Sequence, residues 1–331
     1  LRLFCPEPFE HLEIAVEGNV YVCCSGWVPR PVGNILSDDI SKIWNGEKIR
    51  QVRDSITDNS FTYCLECPYL PGPHGTVQPV DQPPPKEPTS ARIAVLTLAY
   101  DRTCNLACPS CRSVFFKSDQ AHELQARAIS TQIIRSSMLE SVARMIVAGS
   151  GDPFASSVYT DLLRNVPWQA YPHLKVGLYT NALLADESNW ARFGRAVDRI
   201  DQVTVSVDAA SPQTYALNRG GNWSHLLENL NVLSRMRTAG RLNLLRLVFI
   251  VQTNNYREVP VFVDLARSYN VDCVRLGKLR NWGAYSPSDY ARRAVHLSSH
   301  PEHLELLRVM RDERLRGRQL VIANLGQDEI R

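Results

Sequence analysis

Nine cysteines carry the chemistry open to this chain, and they fall into groups. Cys104-Asn105-Leu106-Ala107-Cys108-Pro109-Ser110-Cys111 forms a C-x3-C-x2-C loop directly after RIAVLTLA, a segment patterned as a strand. Three thiolates at this spacing can take three corners of an iron-sulfur cubane and leave the fourth iron open, and an open iron is a binding site. Structural zinc prefers four ligands, and no fourth Cys or His lies near this loop in sequence. Cys5, Cys23, Cys24, Cys64 and Cys67 form the earlier set, with four ligands for one site in Cys5, one of the adjacent pair, and Cys64 and Cys67. That site could be a closed second cluster or a four-cysteine zinc. Neighbouring residues on a strand point to opposite faces, so only one of Cys23 and Cys24 is expected to face it. An odd count in close-spaced groups suits metal thiolates better than a secreted disulfide framework. The ninth, Cys273, stands apart in VDCVRLGKL.

These groups need a scaffold, and the pattern of the chain supplies one. HLEIAVEGNVYVC alternates as a hairpin turning at Glu17-Gly18-Asn19, and IWNGEKIRQVR predicts a short helix before Cys64. Seven prolines between Pro71 and Pro88 predict an extended linker. The expected organisation is a cluster-binding domain at 1–70, a proline-rich linker at 71–90 and a larger domain at 91–331. In the larger part, RIAVLTLA, ARMIVAG, KVGLYTN, QVTVSVD, LLRLVFIVQ and VDCVRLGKL alternate with helical patterns around 129–141, 156–164, 187–197, 223–237 and 259–269, with a last one near 303–316. Strand-helix alternation predicts an α/β fold: a parallel sheet of right-handed crossovers, with six units making a partial (β/α)6 TIM-like barrel. A small N-terminal β-hairpin-plus-helix domain precedes it.

Composition narrows the partners. Lys+Arg 37 against Asp+Glu 34 gives a net +3 with no basic run interleaved with aromatics, so nucleic acid is not expected. No apolar stretch approaches the roughly 20 residues of a membrane-spanning helix, and LRLFCPEPFE carries no signal-peptide pattern. A soluble, cytoplasmic protein without membrane contact is expected.

The cysteine loop, its place after the first strand and the units that follow resemble the radical S-adenosylmethionine (SAM) superfamily. The resemblance implies that the open iron binds SAM and that an electron from the cluster breaks a sulfur-carbon bond to release a 5'-deoxyadenosyl radical. Gly149-Ser150-Gly151-Asp152-Pro153 is similar to the family segment that receives the SAM amino group. Ser206, Asp208 and Arg219 are similar to residues that bind the ribose and the methionine carboxylate. Asn181, Gln252 and Asn254, at strand ends, are candidates for lining the adenine or the substrate. Ser110 stands where an aromatic residue is common and would contact the base through its backbone. The N-terminal segment, with GNI near Gly33 and WN near Trp44, resembles the SPASM or twitch auxiliary-cluster modules, here before the barrel rather than after it. That resemblance favours Cys23 as the ligand and makes Cys24 a buried residue beside Val20 and Val22.

The implied cofactors are two 4Fe-4S clusters and SAM, with an external electron donor such as flavodoxin or ferredoxin. The substrate would be a small molecule, a sugar-bearing natural product or a peptide. Alternation puts Val271, Cys273 and Arg275 on one face of their strand. If that face is the interior, the Cys273 thiol could return a hydrogen atom to a substrate radical and epimerise a carbon; otherwise it only packs. Oxidative crosslinking or dehydrogenation of a peptide competes with epimerisation, as does a non-catalytic two-cluster redox protein. Arg275, Trp282 and Tyr285 are candidate substrate contacts.

Overall fold

The computed structural model describes residues 3–64, 67, 70, 78–79, 92–147, 149–316, 320–323 and 325. Its strands are β1 (Leu3–Phe4), β2 (His11–Ala15), β3 (Asn19–Tyr21), β4 (Gly33–Asn34), β5 (Gln78–Pro79), β6 (Val95–Ala99), β7 (Arg144–Val147), β8 (Lys175–Thr180), β9 (Ile200–Ser206), β10 (Leu244–Val251), β11 (Cys273–Lys278) and β12 (Leu320–Ala323). The helices are α1 (Glu7–Glu10), α2 (Ile40–Trp44), α3 (Glu47–Thr57), α4 (Gln120–Arg135), α5 (Ser157–Asn165), α6 (Glu187–Ala191), α7 (Pro212–Arg219), α8 (Trp223–Thr238), α9 (Val259–Ser268), α10 (Pro287–Arg293) and α11 (His303–Val309).

All six strands expected after the linker form. α4 begins nine residues before the predicted pattern, where the Asp119 carboxylate caps it by accepting from the His122 N–H. α7, α10 and β12 were not expected. β12 is too short for its alternation to stand out, and it pairs parallel with β11. Apart from 78–79, the residues of the expected linker lie outside the described residues; Gln78–Pro79 pair antiparallel with β1.

The sheet runs β12-β11-β10-β9-β8-β7-β6-β2-β3-β4 and is parallel from β12 to β2. The N-terminal hairpin therefore extends the sheet of the larger domain. β2 lies parallel beside β6, with Glu13 opposite Thr97, and β3 and β4 follow antiparallel. One face is covered by helices: Leu245, Leu247, Phe249 and Val251 of β10 are buried there, with Phe249 packed 4.8 Å from Phe262 of α9. The alternate residues, Arg246, Val248 and Ile250, take the inner face. Cys273 and Arg275 sit beside Arg246 and Val248 and share that face.

Contacts at the inner face join β2, at one end of the parallel run, to the chain leaving β11, the strand next to its other end. The Ser25 N–H donates to Glu13 of β2 at 3.1 Å. Two residues on, Trp27 lies under the Arg280 guanidinium at 3.6 Å, and Arg280 donates to the Gly26 carbonyl at 3.2 Å. Arg280 also lies 5.2 Å from Trp282, whose ring packs so closely on Gly26 that a side chain there would collide with it. The loop 24–27 thus bridges β2 to the chain leaving β11. A guanidinium held against a tryptophan is worth up to about 2 kcal/mol when desolvated. Arg280→Ala is expected to lower thermal stability and to speed amide exchange at 24–28 while α5 exchanges as before. Unchanged exchange at 24–28 would show that this contact does not hold the bridge.

Candidate functional site

The three-cysteine loop leaves the carboxyl end of β6 and is fixed at its root by one buried carboxylate. Asp101 accepts from the Thr103 N–H at 3.0 Å, from the hydroxyls of Thr103 and Ser118 at 2.9 and 2.8 Å, and from Ser156 at 2.5 Å. The loop closes on itself where the Cys104 N–H meets the Phe116 carbonyl at 3.1 Å, and a helical turn follows as Arg112 N–H bonds the Cys108 carbonyl at 3.0 Å. Cys108 is buried and Cys111 exposed. Each sulfur has its own neighbour. Asn181 donates to Cys104 Sγ at 3.8 Å, Cys108 Sγ lies 3.7 Å from the Arg219 carbonyl, and Arg112 donates to Cys111 Sγ at 3.5 Å. Arg112 also donates to the Arg102 carbonyl at 2.8 Å and to the Ser150 carbonyl, tying this loop to the next.

That next loop, Gly149 to Pro153, leaves β7 and packs directly on the cysteine loop. Gly149 has φ +103°, and a side chain there would strike Ala99; one at Gly151 would strike the carbonyls of Asp101 and Thr103. The Asp152 carboxylate accepts from Asn181 N–H and the Thr180 hydroxyl at 2.8 Å and from Phe154 N–H at 3.0 Å. Three of roughly four acceptor positions are filled, so most of this carboxylate holds β7 to β8. Burial pushes its pKa up, against the lowering by those hydrogen bonds.

Asp208 ends the β9 segment with φ 59°. It accepts from Ile250 N–H of β10 at 2.7 Å and from Arg219 Nη1 at 3.1 Å, while burial raises its pKa and Arg219 opposes the rise. Asn218 and Asn255 both donate to the Asp208 carbonyl at 2.9 Å, and Asn254 donates to Asn218 at 2.7 Å. Arg219 Nε and Gln252 Oε1 are buried without a hydrogen-bond partner. A buried donor and a buried acceptor left unpaired each cost stability unless a ligand takes them. Together with three thiols they suit a ligand that carries both an anion and a donor. Ser206 lies on the inner face beside Val248.

The earlier cysteines lie within electrostatic reach of one another. The charges acting on Cys5 include those of Cys64 and Cys67, and those acting on Cys23 include Cys5. Burial pushes Cys5 to about 12 and Cys64 to about 11, so thiolate forms there only with a cation beside it. Cys24 departs from its expected place next to Val20 and Val22. β3 ends at Tyr21, the chain bends at Val22 and Cys23, and strand alternation stops. The Cys24 thiol is raised by burial to about 11 and feels the charges of Glu13 and Arg280, while the Cys24 carbonyl accepts from the Trp27 N–H at 2.8 Å. Among the described residues no three His, Cys, Asp or Glu close on one point as ligands of a single ion do.

The structure does not bring Cys273 to this end of the sheet. It is the first residue of β11, roughly 16 Å of strand from that strand's carboxyl end. Trp282 belongs to the bridge with Gly26 rather than to the strand ends. Tyr285, under Arg293 at 5.0 Å, feels the charge of Cys108 and so stays near the site. Sequence reasoning passed over Asp101, Arg112 and Asn255, whose roles depend on partners far along the chain.

Residues 5–68 match the SPASM family, described as an iron-sulfur cluster-binding domain. No curated protein matches the chain. Among solved structures, Streptococcus suis SuiB bound to S-adenosylmethionine is similar at 12% identity and a TM-score of 0.42, over 72% of this chain and 47% of that one. TYW1 with a lysine-pyruvate adduct bound is similar at 14% and 0.40, over 63% and 70%. anSMEcpe with bound AdoMet and the Kp18Cys peptide is similar at 17% and 0.41, over 69% and 63%. The chain spans about half the length of SuiB. Among the described residues no helix is long and apolar enough to cross a membrane.

The two adjacent cysteines give a direct test of the ligand set. Cys23→Ala should lose about half the iron and sulfide of the reconstituted protein, whereas Cys24→Ala should keep all of it. The reverse pattern would exchange their roles.

Proposed function

We propose that this chain is a radical SAM enzyme whose SPASM domain holds a second cluster beside a partial barrel. Cys104, Cys108 and Cys111 would hold the first 4Fe-4S cluster, and Cys5, Cys23, Cys64 and Cys67 the second. The observation that carries the reading is the meeting of the three-thiol loop with the end of α7, where Cys108 Sγ lies 3.7 Å from the carbonyl of Arg219, a residue whose Nε is buried without a partner. When bound, a reduced cluster and SAM supply a 5'-deoxyadenosyl radical able to take hydrogen from a substrate C–H bond, and a second cluster supplies a redox partner.

The chain's own residues do the rest. Arg219, aimed by Asp208, offers a fixed guanidinium to the SAM carboxylate, a pairing that guanidinium geometry favours. Ser110, Gly149, Gly151, Asn181 and Ser206 line the same end of the sheet and position the rest of the molecule. Asp152, largely committed to Thr180 and Asn181, keeps one acceptor position for the amino group. The Ser25 and Trp27 contacts hold the loop 24–27 between β2 and the chain leaving β11, beside the inner face.

The fate of the substrate radical follows from where Cys273 stands. Its thiol shares the inner face but lies at the far end of its strand, which favours an oxidised product over one epimerised by hydrogen return from this residue. The reading requires a reductant, such as flavodoxin or ferredoxin, for the first cluster.

Reconstituted protein should contain about eight irons, and once reduced it should convert SAM to 5'-deoxyadenosine. Cys108→Ala should abolish the cleavage, and a wild type that never cleaves SAM would contradict the proposal. With substrate in deuterated water, Cys273→Ala should make product at the wild-type rate with no solvent deuterium on the reacting carbon. Deuterium there in the wild type, lost with product in Cys273→Ala, would establish epimerisation instead.

A further inference from the structure

α7 presents two polar atoms on one face, the Tyr215 hydroxyl and Arg219 Nε, each buried without a hydrogen-bond partner. Tyr215 and Arg219 are four residues apart, which makes them neighbours on the helix surface. Tyr215 is 0% exposed, and neither its hydroxyl nor Arg219 Nε has a hydrogen-bond partner. The ring is held in place. Trp223 packs 5.4 Å from it, and a side chain at Gly221 would come within 3.1 Å of its hydroxyl oxygen. Phenylalanine would fill this space without burying an unsatisfied hydroxyl, so the hydroxyl adds nothing to the fold.

The charged groups around that hydroxyl are those of the site: Arg219, Cys108, Asp208 and Asp152. The two carboxylates are already engaged. Asp208 accepts from Ile250 and Arg219, and Asp152 from Thr180, Asn181 and Phe154. Arg219 gives Nη1 to Asp208, its Nε and the Tyr215 hydroxyl one helical turn away are buried without a partner, and its carbonyl lies 3.7 Å from Cys108 Sγ. Two unpartnered donors on one face of a helix, one turn apart, suit the two oxygens of a carboxylate.

We infer that Tyr215 is a SAM-binding residue, its hydroxyl donating beside Arg219 Nε to the methionine carboxylate. The inference rests on the radical SAM reading above and deepens it. It involves no covalent step, since one hydrogen bond forms on binding and none is broken in the protein.

The test compares wild type with Tyr215→Phe in the whole reconstituted chain. It measures equilibrium binding of SAM and of decarboxylated SAM, which lacks only the carboxylate, and the thermal midpoint without ligand. Tyr215→Phe should weaken SAM binding by about tenfold, the scale of one hydrogen bond to a charged group. It should leave decarboxylated SAM binding as it is in wild type, and the ligand-free midpoint should stay level or rise. SAM affinity within twofold of wild type, or an equal loss for both ligands with a lowered midpoint, overturns the assignment and makes Tyr215 a packing residue. A wild-type chain that binds no SAM overturns the underlying reading and the assignment with it, a result distinct from the loss of one contact.

Discussion

Buried carboxylates at the strand ends are the constraint on which the site depends. Loops leaving a parallel sheet have no ladder to hold them, yet a cluster and its ligand need a rigid frame. Asp101 joins the end of β6 to Ser156, the cap of α5; Asp152 joins the β7 loop to β8; Asp208 joins β9 to β10. Glu258 returns from beyond β10 to the start of α7, accepting from Ala210 N–H at 2.6 Å and from the hydroxyls of Ser211 and Thr214 at 2.7 and 2.5 Å. Hydrogen bonds to charged groups contribute about 1.5–3 kcal/mol each, and losing one end leaves a buried carboxylate exposed to the cost of desolvation. The same bonds aim Arg219 and Asn181 at the cysteine loop.

A second constraint is the continuity of the sheet. Because β2 pairs with β6, the strand that leads into Cys104 is neighbour to the hairpin that leads into Cys23. The two sets of thiols are therefore fixed relative to each other by backbone hydrogen bonds. The adjacent cysteines divide the space between the sets. Cys23 feels the charges of Glu7 and Cys5, and Cys24 those of Glu13 and Arg280 on the side of the bridge. Trp27 and Arg280 join chain segments more than 250 residues apart in the order of the sequence, a span of 254 for the Arg280 to Gly26 hydrogen bond.

Local signals made much of this legible. Strand alternation gave β6 to β11, and close spacing set the cysteines into their two groups, because each depends on residues a few positions apart. What escaped depends on partners far away. Asp101 and Arg112 look like ordinary loop residues until Ser156 and Ser150 are brought to them. Tyr215 has the look of a core aromatic, and only its unpaired hydroxyl marks it out. Cys24 was placed by alternation, which fails where the chain bends after Tyr21. The level of Cys273 along β11 could be judged only against the opposite end of that strand, where the other candidates collect.

Electron paramagnetic resonance of the reduced protein, with and without SAM, tests the central claim most directly. Two cluster signals are expected, of which one changes shape on adding SAM, and that one should vanish in a Cys104→Ala, Cys108→Ala, Cys111→Ala variant that keeps the other. Signals indifferent to SAM, or a SAM-sensitive signal that survives the triple substitution, would contradict the account.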